Sequence, residues 1–555
     1  MNRRAAESPL PPPEAWPSLT ASLPELEYPA TLKLADVLVD RHVAAGLGAH
    51  TAIHAGSRRV SYRELQSFVN RIANGLRRAG ARAGDRIAMR FPNRVEFAAT
   101  WLAVQKLGAV GVSTMPMLRA RELAYIVNDS EASLFVCAAD YFEELARAAP
   151  SFDHPVAVVL AGRDRPDTPR TLPNGVGWWL EDLVEGSPDV FDAADVAKRD
   201  VALIAYTSGS TGTPKGATHS PADMLASADT YARHVLAIRE DDVLGGHPTL
   251  AFTFGLGGLL VFPLRFGASA ALVDPFTPDA LLRAVGAHRI TILFCAATTY
   301  KMLLQDQALE TKYDLRSLRL CVSAGEPLPA VVYREWHRRT GIEILDGIGA
   351  TEMFHIFISA RAGSVRPGST GTIVPGYEAR VLDDRHRDVP RGTPGLLAVR
   401  GPTGCRYWRK PDRQREYVRD GWNFTGDVYR QDEDGYFWYQ CRNDDLIICG
   451  GYNIAGPEVE AVLLEHDAVL AAAVVASPDQ VRGWIPKAFV VLKPGVDGSP
   501  QLAEQLQEHV KGALAPYKYP REVEFIAALP TTETGKVRRV ELRERELQRK
   551  AHRRT

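Results

Sequence analysis

Cysteine is scarce and scattered: there are six in 555 residues, at Cys137, Cys295, Cys321, Cys405, Cys441 and Cys449. No two form a CxxC pair, so neither a disulfide framework nor a zinc site is expected, and a reducing compartment fits. Neither sign of charge is in excess, with 66 Lys and Arg against 67 Asp and Glu. A nucleic-acid binder needs a basic stripe or patch. The nearest thing to one, Arg538 to Arg554, alternates with Glu541, Glu544 and Glu546, as a solvated helix face or frayed tail does. Long apolar runs are also missing. Arg3 and Arg4 have no apolar segment behind them, and Pro9, Pro11, Pro12 and Pro13 follow, which excludes a signal-peptide helix. The most apolar stretch, Phe252 to Leu264, contains four glycines or prolines and is too short to span a bilayer. No internal repeat is present. The expectation is a cytoplasmic protein with no nucleic-acid or membrane partner.

What is present is ordinary globular material, 45% hydrophobic and 24% charged. A chain of this length exceeds what one core usually supports, so more than one domain is expected. Residues 1–30 are proline-rich and read as an arm, either laid on the surface or disordered. Ser61 and Glu64 then make a capping box, with Leu65, Phe68, Val69, Ile72 and Leu76 at helical spacing and Gly80 placed to close the helix. Arg86 to Arg90 reads as a strand. Helix–strand alternation of this kind is expected to about residue 430 and argues for an α/β fold. The stretch Gln431 to Asp445 is polar. Beyond it Pro457 opens a helix carrying Val459, Val462 and Leu463, and strands are expected at Leu470–Ala476, Ala488–Leu492 and Val523–Ile526. The resulting division is an arm at 1–30, a large domain at 31–443 and a small one at 444–555.

The strongest local signal follows the apolar run Val201 to Tyr206. It reads Tyr206-Thr-Ser-Gly-Ser-Thr-Gly-Thr-Pro-Lys-Gly216. Glycines let backbone N–H groups approach an anion, hydroxyls donate further hydrogen bonds, and Lys215 adds positive charge for a polyphosphate. A flexible linker would not hold a proline and a lysine directly after a buried strand. The order of residues is not that of a P-loop, because Gly212 is followed by Thr213-Pro214-Lys215-Gly216, and Gly255-Leu-Gly257-Gly-Leu-Leu260 fails the dinucleotide fingerprint at its last position.

Residues 206–216 resemble the phosphate loop of the acyl-adenylate-forming superfamily, the AMP-binding enzymes, and other segments resemble its remaining motifs in family order. Asp346-Gly-Ile-Gly-Ala-Thr-Glu352 is similar to the second nucleotide motif, Ser323-Ala-Gly-Glu-Pro-Leu328 to the loop along the adenine face, and Phe424-Thr-Gly-Asp427 to the ribose motif. Arg442-Asn-Asp444-Asp445 resembles the hinge, Gly450-Gly451-Tyr452 the CoA-tunnel loop, and Thr532-Glu-Thr-Gly-Lys536 the catalytic lysine loop. The resemblance implies a large N-terminal lobe of α/β subdomains and a small mobile α+β C-terminal lobe. It implies ATP, Mg²⁺ and CoA as cofactor and co-substrates. The implied nucleotide site is Thr207, Ser208, Gly209, Ser210, Thr211, Gly212, Thr213, Lys215, Gly325, Glu326, Pro327, Asp346, Gly347, Ile348, Gly349, Asp427 and Arg442. Glu352 and Thr207 would serve Mg²⁺, Thr351 the α-phosphate, Lys536 catalysis, Asp444 the hinge, and Gly450, Gly451 and Tyr452 the CoA tunnel. Family members often carry an aromatic residue where this chain has Ile348, so adenine would stack on an apolar face.

For the acid, Ala251-Phe-Thr253-Phe254-Gly-Leu-Gly257 resembles the pocket segment of benzoate–CoA ligases, in which an Ala-Tyr pair usually stands at Thr253-Phe254. Thr351-Glu-Met-Phe-His355 resembles the same group, and Ala324 belongs to the third wall. As a whole the chain is most similar to 2-aminobenzoate–CoA ligases. That implies an ATP-dependent aryl acid–CoA ligase, a monomer or homodimer, acting on 2-aminobenzoate or benzoate. Phe254 would offer a flat face to the ring, and Thr253 and His355 polar atoms to an ortho-amino group. Two rivals remain at this point: loading of an aryl acid onto a separate carrier protein, and a degenerate scaffold of the same fold.

Overall fold

The structure is a computed structural model and describes residues 8–163, 177–207, 214–449, 452–479, 483–515, 517–531 and 536–552; for Asp444, Ile448, Tyr452, Asn453, Ala551 and His552 it describes the backbone alone. Two sheets dominate the first 373 residues. The seven-stranded one runs, edge to edge, Lys215–His219, Leu203–Thr207, Val110–Thr114, Arg86–Arg90, Leu134–Ala138, Ala157–Ala161, Trp178–Trp179. Its pairs are parallel except the first, a hairpin. The nine-stranded one is parallel at its centre, through Ser269–Leu272, Val243–Gly246, Ile292–Cys295, Leu320–Ala324 and Ile344–Gly349, with antiparallel strands at both edges. Parallel strands need crossover connections that cover the sheet faces, and one core accordingly joins both sheets to the helices between them.

Local chemistry accounts for these elements. The helix Tyr62–Arg78 begins with the capping box: Glu64 N–H donates to Ser61 Oγ at 3.2 Å, and Ser61 N–H donates to Glu64 Oε2 at 2.8 Å. Leu65, Val69, Ile72 and Leu76 are fully buried on its inner face. Gly80, at φ +105°, ends it in the left-handed conformation that glycine adopts without strain. The apolar Phe252–Leu264 run becomes part of a buried helical stretch, Thr253–Leu256, Gly257–Val261 and Phe262–Arg265. No helix among the described residues is long and apolar enough to cross a membrane. The six cysteines are all buried thiols.

The sequence expectation fails in one place. Helix–strand alternation stops near residue 360 rather than 430. Glu378–Leu382, Pro394–Arg400, Trp422–Gln431, Val418–Arg419 and Phe437–Arg442 form an antiparallel sheet with one short helix, Pro411–Tyr417. Tight turns cause this. Asp420-Gly421 has φ +50° and +77°, and Gly435 has φ +87° with its N–H donating to Asp432 O at 3.0 Å. The polar Asp432–Gly435 run is thus a hairpin turn within this sheet.

The arm lies on the surface over its described part. Arg409 N–H donates to Pro9 O at 2.7 Å, Ser18 N–H to Gly421 O at 2.9 Å and Thr20 N–H to Gly401 O at 2.9 Å. From residue 447 a further sheet forms from Tyr452–Ile454, Ile447–Cys449, Gly483–Leu492, Val469–Asp479 and Glu522–Phe525. The helices Gly456–Leu463 and Pro500–Ala513 pack around a core of its own. Helix and sheet are mixed here as α+β, with a last helix at Arg539–His552.

Candidate active site

The hairpin Leu203–Thr207 and Lys215–His219 holds Thr207 opposite Lys215. The expected phosphate-loop residues Ser208, Gly209, Ser210, Thr211, Gly212 and Thr213 lie outside the described residues, but both ends of the loop are fixed. Tyr206 donates to Asp129 Oδ2 at 2.8 Å, and Trp408 N–H donates to Gly216 O at 2.8 Å. A Cβ on Gly216 would stand 2.7 Å from Ile204 Cγ2, so the close packing of the hairpin requires glycine there. Lys215 is half-buried. Burial pulls its pKa down, Arg413 adds to that, and the facing Glu352 opposes it.

Strand pairing brings two distant motifs together. Ser323 lies opposite Asp346 and Ala324 opposite Gly347, so the Gly325-Glu326-Pro327 loop emerges beside Gly347, Ile348 and Gly349. Gly325 has φ +91°. Glu326 accepts from Thr298 N–H. A Cβ on Gly349 would come 2.7 Å from His355 O, which ties the strand to the turn that follows it. Asp346 is buried, and burial pushes its pKa up to about 8 against the Ser323 hydroxyl and the Leu328 and Gly347 N–H groups. It is therefore an uncharged acid at neutral pH, with Oδ1 lacking a hydrogen-bond partner among the described residues.

The next turn, Thr351–Met353, carries Thr351 and Glu352. Thr351 O bonds His219 Nε2 at 2.7 Å, and burial holds that imidazole neutral, with a pKa down to about 4. Glu352 Oε1 accepts from the Tyr407 hydroxyl at 2.6 Å. Across the antiparallel sheet, Asp427 pairs with Arg442. Arg442 Nη1 donates to Asp427 Oδ1 at 3.1 Å and to Thr425 O at 2.9 Å. Residue 426 is a glycine at φ +77°, a conformation that side chains rarely adopt, and a Cβ there would also crowd Arg442 Nη2 at 2.8 Å.

Lys536 comes to this place from the far end of the chain. Its Cε lies 3.8 Å from where a Cβ on Gly325 would stand. The side chain is open to solvent, but the opening is a cleft: loss of bulk water lowers its pKa, while Glu326, Asp427 and Glu352 oppose that and Arg442 assists it. A lysine, three carboxylates, an arginine and a glycine-lined strand end thus converge from motifs as much as 211 positions apart, from Gly325 to Lys536. That arrangement can neutralise a polyphosphate and hold a carboxylate against it.

Beside it lie the expected pocket residues. Thr253 and Phe254 open a buried helix. Phe254 meets Phe294 edge-on at 5.7 Å and His355 at 5.4 Å, while His355 sits 4.5 Å from Phe262 and 5.5 Å from Tyr231. His355 Nε2 bonds Phe254 O at 3.2 Å, and Nδ1 has no hydrogen-bond partner among the described residues. Burial holds the ring neutral, its pKa down to about 3. A Cβ on Gly257 would strike His355 Cδ2 at 2.4 Å, so the Gly257 position is what admits the imidazole. Ala324 is buried at its strand end.

Asn443–Asp445 forms one 3₁₀ turn, with the Asp444 side chain outside the described set. Gly450 and Gly451 also lie outside it, between Cys449 and Tyr452, which pair across a hairpin. Of Tyr452, only the backbone is described.

Residues 40–408 match the AMP-binding enzyme family and residues 458–536 its C-terminal domain. The chain belongs to the AMP-binding enzyme family. It is 37% identical to a benzoate–CoA ligase of Thauera aromatica over 94% of this chain and 97% of that one. An anthranilate CoA ligase solved in complex with anthranoyl-AMP superposes with a TM-score of 0.88 at 33% identity, covering 94% of this chain and 99% of that one. A benzoate CoA ligase from Burkholderia xenovorans LB400 superposes with a TM-score of 0.83 at 33% identity, covering 92% and 100%.

Sequence reading missed two side chains that meet this cleft. Tyr407 touches Glu352 across 55 positions, and no local pattern marks such a pair. Lys301, on the helix Ala297–Leu304, lies in the fields of Glu326 and Glu460, with burial lowering its pKa. Its helix carries no motif.

Proposed function

We propose that this AMP-binding enzyme is an ATP-dependent aryl acid–CoA ligase, acting on 2-aminobenzoate or benzoate. The observation that carries the reading is the seating of Lys536 against Gly325, facing Glu352, Asp427 and Glu326 in one cleft. The aromatic identity of the acid draws support from the Phe254, Phe294, Phe262 and His355 cluster beside that cleft and from the relatives' named substrates, benzoate and anthranilate.

In this reading the acid's carboxylate attacks the α-phosphorus of ATP, pyrophosphate leaves, and an acyl-adenylate forms. Two anions must approach each other, so neutralising charge is the main task. Lys536 bridges the carboxylate and the α-phosphate, the 207–215 loop and Lys215 hold the outer phosphates, and Thr351 contacts the α-phosphate. Asp427 accepts from the ribose at one oxygen while Arg442 holds the other. Gly325 to Pro327 and Gly347 to Gly349 flank the adenine. Glu352 fits a nucleotide-borne Mg²⁺: Tyr407 holds one of its carboxylate oxygens, and Mg²⁺ in such sites needs only one or two carboxylates beside phosphate and water. When bound, that ion neutralises phosphate charge; Thr207 is its second expected protein contact. Among the described residues there is no cluster of three or more His, Cys, Asp or Glu able to hold a metal.

The lobes divide at 443 and 444, and the C-terminal lobe turns about Asp444 after adenylation. Lys536 leaves, the Gly450-Gly451-Tyr452 loop enters, and the CoA thiolate attacks the mixed anhydride to give the thioester and AMP, a hinge-type rearrangement.

The test is release of AMP and pyrophosphate with Mg-ATP over benzoate, 2-aminobenzoate, 2-hydroxybenzoate, cinnamate and hexanoate, each with and without CoA. CoA-dependent turnover highest with 2-aminobenzoate or benzoate is expected. Pyrophosphate release with no CoA thioester would move the function to carrier-protein loading, and no turnover with any aryl acid would remove the substrate assignment.

A further inference from the structure

Tyr407 is 2% exposed and lies in a small core with Ala217, Cys405 and Val418. Three contacts fix it. Its N–H donates to Gln414 Oε1 at 2.9 Å. Gln414 in turn donates to Cys405 O at 2.8 Å and Ala15 O at 2.9 Å. Tyr407 makes an antiparallel bridge with Ala217, two residues beyond Lys215, and the Tyr417 ring meets its own edge-on at 5.8 Å. The same core therefore anchors the base of the phosphate-loop hairpin and points a hydroxyl at Glu352 Oε1, 2.6 Å away.

Glu352 stands on a single turn between two strands, and the Tyr407 hydroxyl donates to its carboxylate. The terminal torsion of a glutamate has a broad, shallow profile, so an unbonded carboxylate would sample many orientations. A phenol donating to one oxygen removes that freedom and fixes the orientation of the carboxylate.

We propose that Tyr407 is a positioning residue that orients the Glu352 carboxylate for the cation carried by the bound nucleotide. The proposal rests on the reading of Glu352 as a Mg²⁺ contact. Partners that orient a metal-ligating group typically contribute about 10- to 100-fold in metal affinity.

The experiment measures Mn²⁺ binding by electron paramagnetic resonance, with α,β-methylene-ATP present so that no turnover occurs. Tyr407→Phe is expected to weaken Mn²⁺ binding by about tenfold while leaving metal-free affinity for the analogue unchanged. Glu352→Gln should weaken Mn²⁺ binding at least as much, and Tyr407→Phe should add nothing in that background. Tyr417→Phe deletes another buried hydroxyl of this neighbourhood that has no hydrogen-bond partner among the described residues, and it should bind Mn²⁺ as wild type does. Wild-type binding by Tyr407→Phe alongside weakened Glu352→Gln would overturn the positioning role. So would equal losses in Tyr407→Phe and Tyr417→Phe, or additive losses in the double variant. An unaffected Glu352→Gln would instead withdraw the metal reading itself and the proposal with it. 3-Fluorotyrosine at position 407 keeps ring, hydroxyl and fold. Its ¹⁹F resonance should shift when Mg²⁺ joins the analogue complex, and an unmoved resonance would also overturn the proposal.

Discussion

Replacing Lys487 by Met should loosen the C-terminal helix, and the structure sets the size of the effect. Lys487, on the Gly483–Leu492 strand, donates to Glu546 Oε1 and Glu524 Oε2, each at 2.6 Å. The side chains of Lys487 and Glu546 are 1% and 0% exposed. Ser477 Oγ donates to Glu546 Oε2 at 3.0 Å. Removing one partner of a buried pair strands the other charge, at a cost of about 3–5 kcal/mol. Arg549 still reaches Glu546 Oε2 at 3.2 Å, so the lower end, about 3 kcal/mol, applies. Because the molecule has two lobes, one melting temperature would not isolate this region, whereas hydrogen exchange in the Arg539–His552 helix and the Gly483–Leu492 strand does. Exchange there should quicken roughly 100-fold, since about 1.4 kcal/mol is a factor of ten. The pH response has a definite sign. In the wild type burial pushes Glu546 up, but the Lys487 bond and charge outweigh it and leave the pKa below 4.5. That contribution is present above the unfolded pKa and lost as pH falls through the folded one. In Lys487→Met burial prevails, the folded pKa rises, and the deficit should shrink as pH is lowered and Glu546 takes a proton. The double variant Lys487→Met/Glu546→Gln should recover most of the protection. Unchanged exchange in the single variant, or a double variant no better than the single, would refute the reasoning.

Four further outcomes are expected. Lys536→Ala should slow adenylation by about 10²–10³ while sparing thioester formation from supplied acyl-adenylate; equal loss of both half-reactions, measured separately, would contradict its role. Thr253→Ala should lower the preference for 2-aminobenzoate over benzoate in kcat/KM, and an unchanged ratio removes Thr253 from selectivity. Gly371→Ala should abolish soluble folded protein, as judged by yield and circular dichroism, because at φ +98° the new Cβ would stand 2.1 Å from Ala360 N. Burial holds His219 and His247 down at about 4 and His355 at about 3, against 6.5 when unfolded. At these three rings the unfolded chain binds more protons, so their contribution should be flat above about pH 6.5 and fall as pH drops toward 4, while Asp346, raised to about 8, offsets part of that fall with the opposite sign. Urea titrations at pH 7 and pH 5 check this, and His247→Gln should remove its share of the slope.

Much of the α/β architecture is legible from local pattern. The Ser61–Glu64 box, the Arg86–Arg90 strand and the strands after Pro457 are each set by a short-range rule of capping, period or propensity. The 378–442 sheet is not legible in that way, because short antiparallel strands joined by Asp-Gly and Asp-x-x-Gly turns carry little periodicity. The motifs are visible in sequence as ordered segments, but their meeting is not. The register of Ser323 against Asp346 puts two loops side by side, and the packing of the last helix and sheet brings Lys536 over Gly325.

By itself the amino-acid order determined the parts: which segments are strands and helices, which loop can take phosphate, and which family's motifs are present. Those rest on interactions within a few residues. Only the tertiary structure decided that Asp346 is an uncharged buried acid, that His355 is a neutral ring walled by aromatics, and that Glu352 is held by Tyr407. Protonation and orientation depend on what lies within a few ångströms in space, and those neighbours come from positions far away along the chain.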